Sequence, residues 1–227
     1  MLRTGTSLAL AVLTASLLHW SAPQKTHDDL VPVIFSGEAL KVSPYEVTVA
    51  EWNRCVAAKA CEDIAAHVAR PTVTPVTNVN WFDAEAYIAW YNSVHVQHVR
   101  LPTAAEWRGF SRKPEPKALK PLWDDPRMAW AANYGQEESP RGPVRPQGTW
   151  AATPDGVYDI GGNVWEWTST CAANDARITD AEHCPAMTVM GAHTASVSVF
   201  VRDPSSGGCA SGLPPTHIGF RLVAENG

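Results

Sequence analysis

The chain has 227 residues, enough for one well-buried domain with a short appendage and too few for two comfortable ones. Its formal net charge is −5 and it has no basic run, which excludes the phosphate-neutralising surface that nucleic-acid binding needs. Ten tryptophans stand beside 18 prolines and 15 glycines. Indoles favour burial while Pro and Gly interrupt regular elements, so the composition points to a core wrapped by irregular loops.

In chain order, Met1-Leu2-Arg3 sets one positive charge ahead of a short apolar run, Ser7 to Leu18. Residues 1–22 therefore read as a signal peptide or N-terminal anchor. The run is short for a bilayer-spanning helix, and a buried N-terminal helix is the alternative reading. His19-Trp20-Ser21-Ala22-Pro23 is a poor small-x-small cleavage site, which leaves a retained anchor open. An uncleaved leader is the only membrane contact expected. Residues 23–39 read as a linker whose apolar patch, Val31 to Phe35, enters a first strand, and the globular domain is expected over 40–227.

Five cysteines bear on the compartment. Cys55 and Cys61 are close in sequence, as are Cys171 and Cys184, while Cys209 stands alone. Two local disulfides and one thiol make the simplest pairing in an oxidising compartment, although spacing leaves the connectivity open. Neither pair has zinc-site spacing. Export to the periplasm or beyond and disulfide formation support each other.

Thr48-Val49-Ala50-Glu51 is a capping box, so a helix is expected there, with Trp52, Cys55 and Val56 on one apolar face. Pro75 to Trp81 reads as a short extended run. A helix follows from about Asp83, taken as its N-cap, to Tyr91. Thr103 and Glu106 form a second capping box, with Trp107 and Phe110 facing inward. The Pro-broken, charged stretch from Arg112 to Asp125 is a surface loop. In Gly156 to Trp167, a glycine turn leads into an extended segment with Trp165 and Trp167 on one side. Val197 to Val201 and Ile218 to Val223 are further strand candidates. Helices early and short strands late give an α+β class.

Five of these segments, in order, carry a family resemblance: Glu46-Val47-Thr48; Pro75 to Trp81 with Asp83-Ala84; Arg100-Leu101-Pro102-Thr103 with Glu106-Trp107; Gly156 to Asp159 with Gly162 to Trp167; and Gly219-Phe220-Arg221. Together they resemble the signature blocks of the formylglycine-generating enzymes, also called the sulfatase-modifying factor family. The resemblance implies a loop-rich domain related to C-type lectins. It also implies copper held by two cysteines in the segment before the Gly-Phe-Arg block, since a soft thiolate pair suits copper(I). Here Val189 to Arg202 contains no cysteine, and Met190-Gly191-Ala192-His193-Thr194 stands where the family has Arg-Gly-Gly-Ser-Trp. Copper is therefore not expected, and the cysteine-oxidising activity is not carried over.

The resemblance further implies a calcium site, with a carboxylate from Asp159 and backbone carbonyls from Ile160, Gly162 and Val164. The alternative is that Asp159 caps its own turn. A second family calcium site survives only as Asn133-Tyr134. Among the titratable groups, His193 and His217 are the candidates to converge in an altered site, with Cys209 as a third. His95 and His98 are the one close histidine pair, read as a helix end. Arg100, Glu106, Glu166 and Arg221 sit within aromatic blocks and are expected to pair in one core network.

Function is expected to be that of an exported accessory domain that binds a protein or peptide partner or a small ligand. The alternative is a periplasmic oxidoreductase using a different site in the same cleft, and a formylglycine-generating oxidase ranks last. Whether the chain is an enzyme at all is left open by the sequence.

Overall fold

A computed structural model describes residues 29–64, 68–112, 143–161, 163–172, 183–203, 210–211 and 217–224. The leader, the Arg112–Asp125 loop beyond Arg112, Asn133-Tyr134, Gly162 and Cys209 therefore lie outside the described residues. The chain opens with strands β1 (Val31–Phe35) and β2 (Glu38–Val42). They pair antiparallel through a two-residue turn at Ser36-Gly37, where both residues have positive φ. That twist matches the twist of the flanking strands. Val31 and Val33 face inward while Pro32 and Ile34 face out, so the hairpin belongs to the domain. The boundary expected at residue 40 thus moves back to β1, because the alternation in Val31 to Phe35 supplies a half-buried strand rather than a linker.

Helix α1 (Val49–Ala57) begins at the expected capping box, with Thr48 and Glu51 satisfying each other's backbone N–H groups. Helix α2 spans Trp81–Val94, and its N-cap is Asn80, not Asp83. Asp83 is instead the N3 partner that reaches back to the Asn80 N–H, at 2.8 Å. Reading the first acidic residue as the cap missed the Asn three positions earlier, which forms the same reciprocal box with Asp as its far member. Strand β3 (Val99–Arg100) leads to helix α3 (Ala104–Ser111), which starts at the Thr103–Glu106 box.

The second half is mostly strand: β4 (Trp165–Cys171), β5 (Ala186–Met190), β6 (Thr194–Ser198), β7 (Ala210–Ser211), β8 (Ile218–Gly219) and β9 (Val223–Ala224). The two late strand candidates are reshaped. The first shifts back to Thr194–Ser198, and the second divides at Phe220-Arg221-Leu222 into strands of different sheets. One sheet has the order β1-β2-β9-β3 and the other β7-β6-β5-β4-β8. Every pairing is antiparallel except β4 with β8. The short run between β8 and β9 therefore joins the two sheets. The class is α+β and loop-rich.

Two apolar clusters fill the domain. The larger joins α1 and α2 to β4, β5, β6 and the Ile218–Leu222 run. The smaller lies under α3 and the β1–β2 hairpin. Indole N–H groups tether irregular backbone to this core: Trp167 donates to the Val79 carbonyl at 2.8 Å, Trp81 to Thr168 at 3.3 Å and Trp52 to Glu62 at 3.1 Å. Disulfides Cys55–Cys61 and Cys171–Cys184 close two short loops. They are the two local pairs that sequence spacing made simplest.

Gly219 shows how tight the join between sheets is. A Cβ there would lie 2.5 Å from the Val76 backbone carbonyl oxygen, which is not free to rotate away. Gly219→Ala is expected to cost about 2 kcal/mol, a fall in Tm of roughly 4–8 °C. Gly37→Asn, in an open αL turn position, should cost less than about 0.5 kcal/mol because Asn tolerates that conformation. Thermal unfolding of the two variants checks both.

Candidate functional site

Two places concentrate polar chemistry, on opposite sides of β4. The first is a fully buried charge cluster. Successive strand residues face opposite ways, so Trp165 and Trp167 point into the larger core while Glu166 points toward α3. Glu166 accepts from Trp107 Nε1 at 2.7 Å and from Arg221 Nε and Nη2 at 2.8 Å each. Arg221 also donates through Nη1 to the Ser43 and Pro44 carbonyls, at 3.1 and 3.0 Å, and through Nη2 to the Tyr158 carbonyl at 2.9 Å. A guanidinium has five N–H donors, and all five are used.

The expected network of Arg100, Glu106, Glu166 and Arg221 thus resolves into two separate pairs. Arg221 and Glu166 are wholly buried, whereas Arg100 and Glu106 pair at the start of α3 with the arginine side chain 31% exposed. Burial alone would raise the Glu106 carboxyl, but hydrogen bonds from Arg100 and the Thr103 N–H outweigh it and hold it below the usual range. Sequence reasoning missed Glu46, which lies beside Arg221 at 3.9 Å. It also missed Arg202, which forks onto Asp83 at 2.7 and 2.8 Å and reaches Glu62 at 2.7 Å. The signal for Glu46 was a lone acidic residue between Tyr45 and Val47. The signal for Arg202 was a basic residue just past a strand, which does not name its partner.

Asp159 has a buried carboxylate and a left-handed backbone, φ 61°. One oxygen accepts from the Gly148 N–H at 2.6 Å and the other from the Trp150 N–H at 2.8 Å. Its carboxyl is raised, first by burial, against the pull of those amides and Arg221. Ile160 packs partly buried on the smaller cluster and Val164 is buried beside Gly219. Calcium takes six to eight oxygens. Among the described residues no group of three or more His, Cys, Asp or Glu gathers to hold a metal, and the Asp159 oxygens are engaged by the 148–150 turn.

The second place surrounds Trp165. This side chain is 2% exposed, and its indole N–H has no hydrogen-bond partner among the described residues. Gly191 lies against the pyrrole ring, where a Cβ would come within 2.5 Å of Cδ1. The His193 ring meets the indole edge-on at 5.3 Å between centroids. The His217 carbonyl accepts the Trp165 backbone N–H at 2.8 Å. The structure thus brings the chain at both candidate histidines to one tryptophan, His193 by its ring and His217 by its backbone. Cys209 is outside the described residues. His95 stacks on Tyr91 at 3.8 Å and its Nδ1 lies 2.9 Å from the Tyr91 carbonyl oxygen, as a helix-end residue should.

Comparison with known proteins follows the same outline. The model of a family described as "Sulfatase-modifying factor enzyme 1-like domain" matches residues 34–226. The chain is 33% identical over 116 residues to the inactive C-alpha-formylglycine-generating enzyme 2 of Bos taurus, covering 46% of this chain and 36% of that protein. It is 36% identical over 106 residues to the formylglycine-generating enzyme of Mus musculus, 42% of this chain and 27% of that protein. The matches thus span about a third of these relatives' length. PvdO from Pseudomonas aeruginosa shares the fold, with a TM-score of 0.56 at 17% identity over 86% of this chain and 83% of that one.

Two outcomes check the cluster. Arg221→Met strands a buried carboxylate and three carbonyls and should cost about 4 kcal/mol or prevent folding, whereas Arg100→Met at the part-exposed pair should cost less than about 1 kcal/mol. If Asp159 is satisfied by amides, excess calcium or a chelator should move Tm by less than about 2 °C. A saturating ion would instead add close to 3 kcal/mol at a hundredfold excess over Kd, several degrees for a domain of this size.

Proposed function

The chain belongs to the sulfatase-modifying factor family, and from that premise we propose that it is an exported accessory member that binds a protein or peptide partner and does not convert cysteine to formylglycine. The observation that carries this reading is the placement of the cysteines. Four of the five form Cys55–Cys61 and Cys171–Cys184, which leaves Cys209 as the one remaining cysteine. Val189 to Arg202, the segment where the resemblance would set a copper-binding pair, has none. Copper(I) is held best by soft sulfur ligands, and one thiol does not make the pair. A relative whose name calls it inactive supports the reading. Disulfides support an oxidising compartment.

The same segment offers a surface for a partner. Phe200 is 72% exposed and meets the part-exposed Phe82 at 5.3 Å between ring centroids. Arg202, Asp83 and Glu62 form an ion-paired border beside the rings. An apolar patch rimmed by polar groups is a common form for a protein contact. The loop from Ser205 to Pro215 lies largely outside the described residues.

A second reading, an oxidoreductase working at a different place on the same scaffold, is favoured by one observation: His193 and the chain at His217 meet the unsatisfied indole of Trp165. The two readings part experimentally. Purified protein given copper(I), oxygen and a Cys-x-Pro-x-Arg peptide should yield no formylglycine by mass spectrometry, and accumulation of the aldehyde would overturn the first reading. In the host, Phe82→Ser with Phe200→Ser should abolish the protein's phenotype while His193→Ala leaves it intact. The reverse pattern would select the second reading.

A further inference from the structure

Helix α2 turns an apolar face to the outside as well as one to the core. Ala84, Tyr87, Ile88 and Tyr91 are buried in the larger cluster. The opposite side carries Phe82, Glu85, Ala86, Ala89 and Ser93, which are part-buried or exposed. A helix face that meets only water is ordinarily charged or polar, yet Glu85 is the one ionisable group among these five. Residues three apart on a helix are neighbours, so Glu85 lies beside Phe82, whose ring meets that of Phe200 at 5.3 Å. The Trp81 N–H donates to the Val199 carbonyl at 3.2 Å, which holds Phe200 at the start of α2. Arg202 is committed to Asp83 and Glu62. No charged or hydrogen-bonding neighbour acts on Glu85 among the described residues, and burial alone raises its carboxyl.

We propose that this face receives a basic segment of a partner protein, with an apolar side chain set against Phe82 and Phe200 and a neighbouring lysine or arginine set against Glu85. The inference rests on the docking reading given above and adds the partner's charge to it. Charge selects this occupant. Around the rings, the carboxylates of Glu62, Asp83 and Glu85 outnumber the guanidinium of Arg202, so the patch is complementary to a positive surface. A second copy of the chain fits worse, because a twofold contact places the same surface on both sides and so sets one acidic patch against another. Ala86 and Ala89 project little and let a partner's backbone come close. An exposed ion pair adds little affinity by itself. Its effect here is on selectivity, since a partner with a carboxylate at this point would set like charges together where the rings exclude water.

The probes are the N-acetyl dipeptide amides Phe-Lys, Phe-Gln and Phe-Glu, titrated at millimolar concentration into the full chain, disulfides intact, while backbone amide NMR shifts are followed. Each should move the amides at Phe82 and Phe200. Phe-Lys should bind roughly fivefold more tightly than the neutral Phe-Gln, and Phe-Glu should bind most weakly. Glu85→Gln, a change on the part-exposed side of the helix, should bring Phe-Lys and Phe-Gln within about twofold of each other, and high salt should do the same to the wild-type protein. Equal affinities for the three peptides overturn the inference and leave the docking reading standing, as does a preference for Phe-Lys that Glu85→Gln does not change. Peptides that leave the Phe82 and Phe200 amides unmoved overturn both. Sedimentation tests the competing occupant: self-association that Phe200→Ser abolishes would put a second copy on the face and overturn the proposal.

Discussion

A single buried guanidinium holds the two sheets of this domain in register. Arg221 lies in the short run between β8 of one sheet and β9 of the other. Its five N–H groups reach β4 through Glu166, the turn before α1 through Ser43 and Pro44, and the glycine-bent loop through Tyr158. The turn before α1 and the glycine-bent loop lack regular hydrogen-bond ladders of their own, and buried carbonyls need donors. A lysine could not replace it, because one ammonium cannot present a planar fork to a carboxylate and reach three carbonyls. The loops are ordered because their polar backbone is tied to this hub and to the indoles of Trp52, Trp81 and Trp167.

The same arrangement explains why the region around Trp165 stays in place. Glu166, held by Arg221 and Trp107, fixes the β4 backbone, and the next residue back presents its indole to Gly191 and His193. The parallel pairing of β4 with β8 brings His217 to the same spot. A scaffold can keep this geometry while the groups that perform a reaction change, since activity resides in particular side chains and not in the fold. Here the hub is intact, and Val189 to Arg202 contains no cysteine.

Much of this was legible in the residues because it is local. Capping boxes are read from positions three apart, which is why Thr48–Glu51 and Thr103–Glu106 appear as expected and why the α2 cap failed by only one box. Local disulfides are legible for the same reason. Ion pairs across the fold are not. Arg221 meets Glu166 from 55 positions away and Arg202 meets Asp83 from 119, and nothing in the sequence selects those partners over Arg100 and Glu106. The β1–β2 hairpin reads as an entry to the fold and not as part of it, because what joins it to the sheet is the pairing of β2 with β9, formed by residues near the other end of the chain. The environment of Glu46 was invisible, since it depends on how many donors a distant arginine has left.

What ties fold to function in this account is the number of thiols. Counting free thiols by mass spectrometry on denatured, unreduced protein, with the disulfides mapped by proteolysis, tests it most directly. The account predicts one thiol, at Cys209, with Cys55 joined to Cys61 and Cys171 to Cys184. Three thiols, or a disulfide that includes Cys209, would contradict it and return a cysteine pair to the candidate chemistry.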